Sequence, residues 1–106
     1  MLAFAPTQLG ATTSGTWSLY FDGSDVELSN TSNEDVNGVW VDSAGKIYLT
    51  TLSNFSVTGV SGDGSDIFVC TPDSLGSLTT CTWSMYWDGS INGFSGEDTD
   101  SLSILP

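Results

Sequence analysis

Thirteen acidic side chains face a single base, Lys46, and no histidine in this 106-residue chain, for a net charge of −12. That field repels phosphate backbones and anionic lipid, so nucleic acid is a poor partner, and no apolar run approaches the length needed for membrane insertion. Charged residues are only 13% of the chain and hydrophobic ones 39%, which suits one domain with one modest core and argues against charge-driven disorder.

Ser and Thr number 30, Gly 12 and Trp four, a composition typical of extracellular β-proteins. The opening MLAFAP is too short for a signal-peptide core and has no basic flank, so Met1 reads as an added start or the chain as a piece of a larger secreted precursor.

In chain order, residues 1–5 read as a first strand. TWSLYFDG (16–23) alternates Trp17, Leu19 and Phe21 against Ser18, Tyr20 and Asp22, a half-buried strand over 16–22 that runs into an Asp-Gly turn. NGVWVDSAGKIYLTT reads as a hairpin of strands 36–42 and 46–52, with Val39 and Val41 inward and either Ile47 and Leu49 or Tyr48 and Thr50 inward. Residues 53–61 read as an irregular strand or a loop, and DIFVCT gives a strand over 66–71. TWSMYWDG then repeats the first phrase, giving 82–87 with Trp83, Met85 and Trp87 inward, and 99–105 reads as a last strand. No segment has a helical period.

Sliding the sequence by 66 aligns 1–29 with 67–95 without a gap, and twelve of the 29 pairs are identical. Dropping three residues continues the match, laying EDVNGVWV (34–41) on EDTDSLSI (97–104), while about 43 to 66 has no partner. One all-β domain over 1–106 therefore holds units of about 1–66 and 67–106, the second incomplete, and reads as a slice of a repeat array or a protomer completed by its neighbours.

GVWVDSAGKIYLTT resembles the middle hairpin of NHL-type β-propeller blades, with a 66-residue period against the roughly 40–50 of such blades. The phrases YFDGSDVEL, EDVNGVWVD, GKIYLTTL, GDGSDIFVCTPDSLG and CTWSMYWDG also look like acidic repeats of secreted bacterial proteins. Strands and resemblance together imply an antiparallel four-stranded, blade-like meander of 16–22, 36–42, 46–52 and 66–71, plus a partial second unit. A β-sandwich is the alternative.

Cys70 and Cys81 flank CTPDSLGSLTTC, whose centre looks like a loop between strands, so a disulfide is expected, with reduced thiols as the alternative. Bridged across the hairpin, they would set Phe68 opposite Trp83. The carboxylates cluster at turns. Asp22, Asp25, Glu34 and Asp35 bracket one loop; Asp88, Glu97, Asp98 and Asp100 form its second copy, with Ile91 in place of Asp25; Asp63 and Asp66 sit in SGDGSD. Hard oxygen ligands around Gly-rich turns suit Ca²⁺, while the plainer reading is solvated turn carboxylates. Tyr20, Trp40 and Tyr86 fall on the outward parity, able to stack on sugar rings or to pack on a neighbouring sheet. Without histidine, Ser–His and Cys–His catalysis are excluded within this chain, and an acidic glycosidase pair lacks any sign of a cleft. SGTW echoes the tail of a sialidase Asp-box with Thr13 where the Asp belongs, and Asn30 and Asn54 lie in glycosylation sequons.

The expected function is a non-catalytic extracellular or cell-surface module. It would self-assemble by strand pairing at open edges in MLAFAP and SLSILP, into a ring or a filament. The alternative is a calcium-dependent module binding a cell-surface glycan.

Overall fold

The computed structural model describes residues 1–105. Among them there is no α-helix; the regular structure is strand, with short 3-10 turns at Gly23–Val26, Ser32–Glu34 and Ser90–Asn92. The strands are β1 (Leu2–Gln8), β2 (Ser14–Leu19), β3 (Val36–Val41), β4 (Ile47–Thr51), β5 (Phe55–Val57), β6 (Val60–Gly62), β7 (Ile67–Ser74) and β8 (Thr80–Trp87). They form one antiparallel sheet in the order β3-β4-β7-β8 and two separate hairpins, β1-β2 and β5-β6. The fold is all-β, and no sheet closes into a barrel.

The four-stranded sheet is made of different strands from those expected. The segment expected at 16–22 pairs instead with β1, the outer edge of β3 carries no strand, and the fourth strand of the sheet is β8 at the opposite edge, beside β7. Connection length explains the choice. β2 follows β1 after only residues 9–13, whereas residues 20–35 separate it from β3, and a short loop closes at lower entropic cost; β8 likewise follows β7 after only residues 75–79. The segment 53–61 is ordered as β5 and the start of β6. Residues 99–105 form no strand. Thr99 N donates to the Gly64 carbonyl at 2.8 Å, and the tail then passes over Gly38, where an added Cβ would meet Leu102 Cδ2 at 2.9 Å.

β4 is central and buried along its whole length. Ile47 and Leu49, with Phe68 and Cys70, form the inner face and are wholly buried. Phe21, Val26 and Leu28 from the loop after β2, and Phe55 and Val57 from β5, close over that face. Phe55 stacks on Phe68 with ring centroids 3.9 Å apart. Val39 and Val41 share the inward parity through their pairing with Leu49 and Ile47, yet they stay 43% and 40% exposed because β3 is an edge strand. Of the residues whose alternation points inward, Phe21 is buried and Trp83 and Met85 pack against the core. Trp87 leans on Phe94. Trp17 and Leu19 are not core: they are 65% and 39% exposed, since nothing lies over the β1-β2 hairpin on that side.

Cys70 and Cys81 are joined, with Sγ–Sγ 2.00 Å and Cα–Cα 5.2 Å. The register differs by two residues from the one expected: Cys70 opposes Trp83, and Phe68 opposes Met85. A bulge between Pro72 and Ser74 moves the closing pair to Ser74 and Thr80, and the bridge runs diagonally. An even shift keeps every side chain on its face, so Phe68 and Trp83 still touch, with centroids 5.2 Å apart.

Candidate functional site

The β3-β4 turn is built on Asp42. Its Oδ1 accepts from Ala44 N and Lys46 N, both at 2.9 Å, and Gly45 supplies the left-handed residue (φ 85°) that such a hairpin turn needs. Fixing the turn leaves Oδ2 free to accept from the Tyr48 hydroxyl at 3.3 Å. Burial raises the Tyr48 phenol above its ordinary pKa, and the neighbouring Asp42 charge adds to the effect, so the phenol remains a donor. Trp40 is the direct cross-strand neighbour of Tyr48. On β8, a register shift between Ile67 and Phe68 leaves Tyr86 without a paired residue, and it turns edge-on to Tyr48 with centroids 4.9 Å apart. Trp40, Tyr48, Tyr86, Asp42 and Ser43 thus surround an open depression of about 540 Å³, bounded on one side by Ile104 and Leu105.

Two of the three outward aromatics read from the sequence, Trp40 and Tyr86, therefore meet at one place. Tyr20 does not join them: it packs against the core, and its carbonyl accepts from Gly76 N at 2.9 Å. Alternation did not single out Tyr48 and Asp42. The signal for Asp42 was present in VDSAGK, where an Asp two residues before a backbone N–H organises a turn.

The carboxylates are spread over separate turns, and among the described residues no three Asp, Glu, Cys or His side chains gather as a metal-holding group. Three serve their own turns. Asp22 Oδ1 accepts from Ser24 N at 3.0 Å and Asp63 Oδ1 from Ser65 N at 2.9 Å. Asp88 Oδ1 accepts from Ser90 Oγ at 2.7 Å and Ile91 N at 3.2 Å. Those contacts hold the Asp22 and Asp88 carboxyls below the usual range, through the Ser24 and Ser90 hydroxyls first. Others tie distant segments together. Glu34 is buried, with Oε2 accepting from Asn30 N and Thr31 N and Oε1 from Ser56 N. Asp66, also buried, accepts from Asp63 N at 2.8 Å and Gly89 N at 2.9 Å. Asp25 Oδ2 accepts from Thr79 N at 2.9 Å. Asp35, Glu97, Asp98 and Asp100 are exposed.

The two halves that align at an offset of 66 also share geometry. β1-β2 pairs Leu2 with Leu19, Ala3 with Ser18, Phe4 with Trp17, Ala5 with Thr16 and Pro6 with Gly15, then shifts before Gln8 and Ser14. Adding 66 to each number gives the pairs of β7-β8 from Phe68 and Met85 to Pro72 and Cys81, with the shift at the same place before Ser74 and Thr80. Thr13 Oγ1 donates to the Gly10 carbonyl, and Thr79 Oγ1 to that of Gly76, both at 2.8 Å. Leu28 N bonds Gly23 O at 2.9 Å, and Phe94 N bonds Gly89 O at 2.8 Å. The surroundings differ. β7 is paired by β4 and its inner face is covered, whereas β1 and β2 pair only with each other. Where β7-β8 has its disulfide, β1-β2 lays the Phe4 ring over Gly15, at whose Cα an added Cβ would come within 2.6 Å of the ring.

Among the described residues no helix is long and apolar enough to cross a membrane. Comparison with protein-family models, with curated proteins and with solved structures finds no match to this chain.

Proposed function

We propose that this chain is a non-catalytic, extracellular structural and interaction module that associates with further copies of itself into a ring or a filament. One observation carries the reading. Two hairpins of matching register lie in one chain, and only one has a partner on its strand edge and a cover on its apolar face. The other presents Leu2, Trp17 and Leu19 to solvent at 64%, 65% and 39% exposure, beside two unpaired edges. Such a surface favours association with a further chain. On this reading the 66-residue stretch is one unit of a blade-like repeat, and the disulfide fits an oxidising compartment. Sedimentation velocity over a concentration series, with electron microscopy of the concentrated protein, tests it. Species larger than 11.2 kDa that grow with concentration are expected, and a folded chain that stays monomeric throughout overturns it.

A second reading, glycan binding, is favoured by the meeting of Trp40 and Tyr86 beside Asp42 and Ser43. Aromatic faces stack on sugar rings while a carboxylate and a hydroxyl take the ring hydroxyls. Wild type and Trp40→Ala on a glycan array, with and without EDTA, decide it. A hit lost in the variant supports it, the EDTA arm tests the role of calcium, and no hit removes the reading.

A further inference from the structure

The chain contains its own example of how a covered hairpin is held. The loop after β2 docks on the turn of β7-β8 through three hydrogen bonds: Gly76 N to Tyr20 O, Asp22 N to Thr79 Oγ1, and Thr79 N to Asp25 Oδ2, each 2.9 Å. Phe21 bridges to Gly76, Val26 lies by Cys81 and Trp83, and Thr79 is left 1% exposed. Each half of that contact recurs elsewhere in the chain, the turn exposed throughout and the loop exposed over residues 90–94, while Gly89 is buried against Ser65 and Asp66. The turn recurs as Gly10–Thr13, with the same Thr13-to-Gly10 hydrogen bond already made. A Cβ added at Gly10 meets nothing within 4 Å, whereas one at Gly76 would lie 3.7 Å from Leu19 O. The loop recurs as Tyr86–Phe94, where Ile91 and Phe94 are 81% and 49% exposed although Leu28, the counterpart of Phe94, is buried.

Resting on the self-association reading, we infer that copies join head to tail, with the Tyr86–Phe94 loop of one copy seated on the Gly10–Thr13 turn of the next. Gly10 N donates to the Tyr86 carbonyl and Asp88 N to Thr13 Oγ1. Such a contact joins two different surfaces, so it propagates into a closed ring or an open filament. It lacks one bond of its internal counterpart, because Ile91 stands where Asp25 accepts from Thr79 N. The contact is therefore weaker than the internal one and reversible.

That missing bond supplies the test. Ile91→Asp adds a negative charge to a chain already at −12, which by repulsion alone weakens association. If the introduced carboxylate reaches Thr13 N of the next copy, association instead tightens about tenfold, the size of one charge-assisted hydrogen bond. Sedimentation equilibrium of the full chain is run on wild type, Ile91→Asp, Ser95→Asp as the charge control, and Thr13→Val, which removes the acceptor for Asp88 N. Tightening by Ile91→Asp alone, with several-fold weakening by Thr13→Val, supports the inference. Association that Ile91→Asp weakens as Ser95→Asp does, or that Thr13→Val leaves unchanged, overturns the head-to-tail contact and leaves the self-association reading standing. Monomers in wild type and Ile91→Asp alike overturn both.

Discussion

Glu34→Ala is the most informative single perturbation of the fold. The side chain is 4% exposed and its two oxygens accept from three backbone N–H groups: Asn30 at 2.9 Å, Thr31 at 3.1 Å and Ser56 at 3.2 Å. Two of these hold the turn that leads into β3, and the third fastens the strand that places Phe55 and Val57 on the core. Truncation leaves all three donors without their acceptor. A hydrogen bond to a charged group contributes about 1.5–3 kcal/mol, and water reaching the exposed Asn30, Thr31 and Ser56 offsets part of each loss, so about 3 kcal/mol in total is expected. For a domain of this length that corresponds to a fall in Tm of roughly 15 °C. Glu34→Gln keeps one acceptor oxygen but turns an amide N–H₂ toward at least one donor, and it falls between the two. Urea denaturation followed by Trp fluorescence gives the free energies, and amide exchange at Ser56 locates the loss. Stability in Glu34→Ala within about 0.5 kcal/mol of wild type would refute the claim that this carboxylate organises the β5 side of the core.

Reducing the Cys70–Cys81 bridge, or substituting both by Ala, releases a loop of sequence separation 11 and costs about 3 kcal/mol by chain entropy; thermal melts with and without reductant check it, and no shift in Tm counts against it. Acid unfolding carries a signature of Asp22 and Asp88. Their carboxyls are lowered from the ordinary 3.8, so the stability they contribute is fully present above that value and drains as pH falls through the lower folded values. Asp22→Asn with Asp88→Asn flattens the decline of the urea midpoint as pH falls below 3.8, and an unchanged acid limb contradicts the assignment. Because no three of the described carboxylates gather at one place, EDTA is expected to leave Tm unchanged, and a fall of several degrees on chelation would reveal an ion holding these turns.

Alternation of apolar residues was enough to locate most strands, because period two depends only on which side chains share a face. It located β3 and β4 to within one residue at each end, and β7 and β8 to within three. It did not say which strands share a sheet, since a strand such as β2 can pair with either sequence neighbour and the shorter connection, here to β1, wins. Nor did it distinguish a face from a covered face. Trp17 and Trp83 stand in nearly identical phrases, yet one is exposed and the other packs against the core, because the cover comes from Phe21, Val26 and β5, far away in sequence. The tail 99–105 matched β3 in pattern but forms no strand, and the edge of β4 that its counterpart takes is already held by β3. At the depression, Trp40 and Tyr86 were legible as outward aromatics. Tyr48 was hidden because a central strand buries both faces, so its two parities look alike. The acidic residues were open to two readings for a related reason. An Asp near a Gly is equally suited to accepting a backbone N–H and to ligating a cation, and only the distances between turns separate the two uses.

The two hairpins amount to a controlled comparison inside one molecule. They share register, bulge and turn hydrogen bonds, so those features are local properties of the repeated phrase and need no cover to form. What differs is the device that ties the strands: a covalent bridge where the hairpin joins the core, and an aromatic ring over glycine where it stands alone. A two-stranded hairpin by itself is marginal in water. The Phe4 ring on Gly15, its contact with Trp17 at 4.8 Å and the bond from the Met1 amino group to the Phe21 carbonyl at 2.7 Å keep β1-β2 in shape. None of these removes the apolar side chains from solvent. The same phrase that supplies a buried Phe68 and half-buried Trp83 in one setting therefore supplies an exposed Leu2 and Trp17 in the other, and the burial still available on that face is the driving force that a second copy would release.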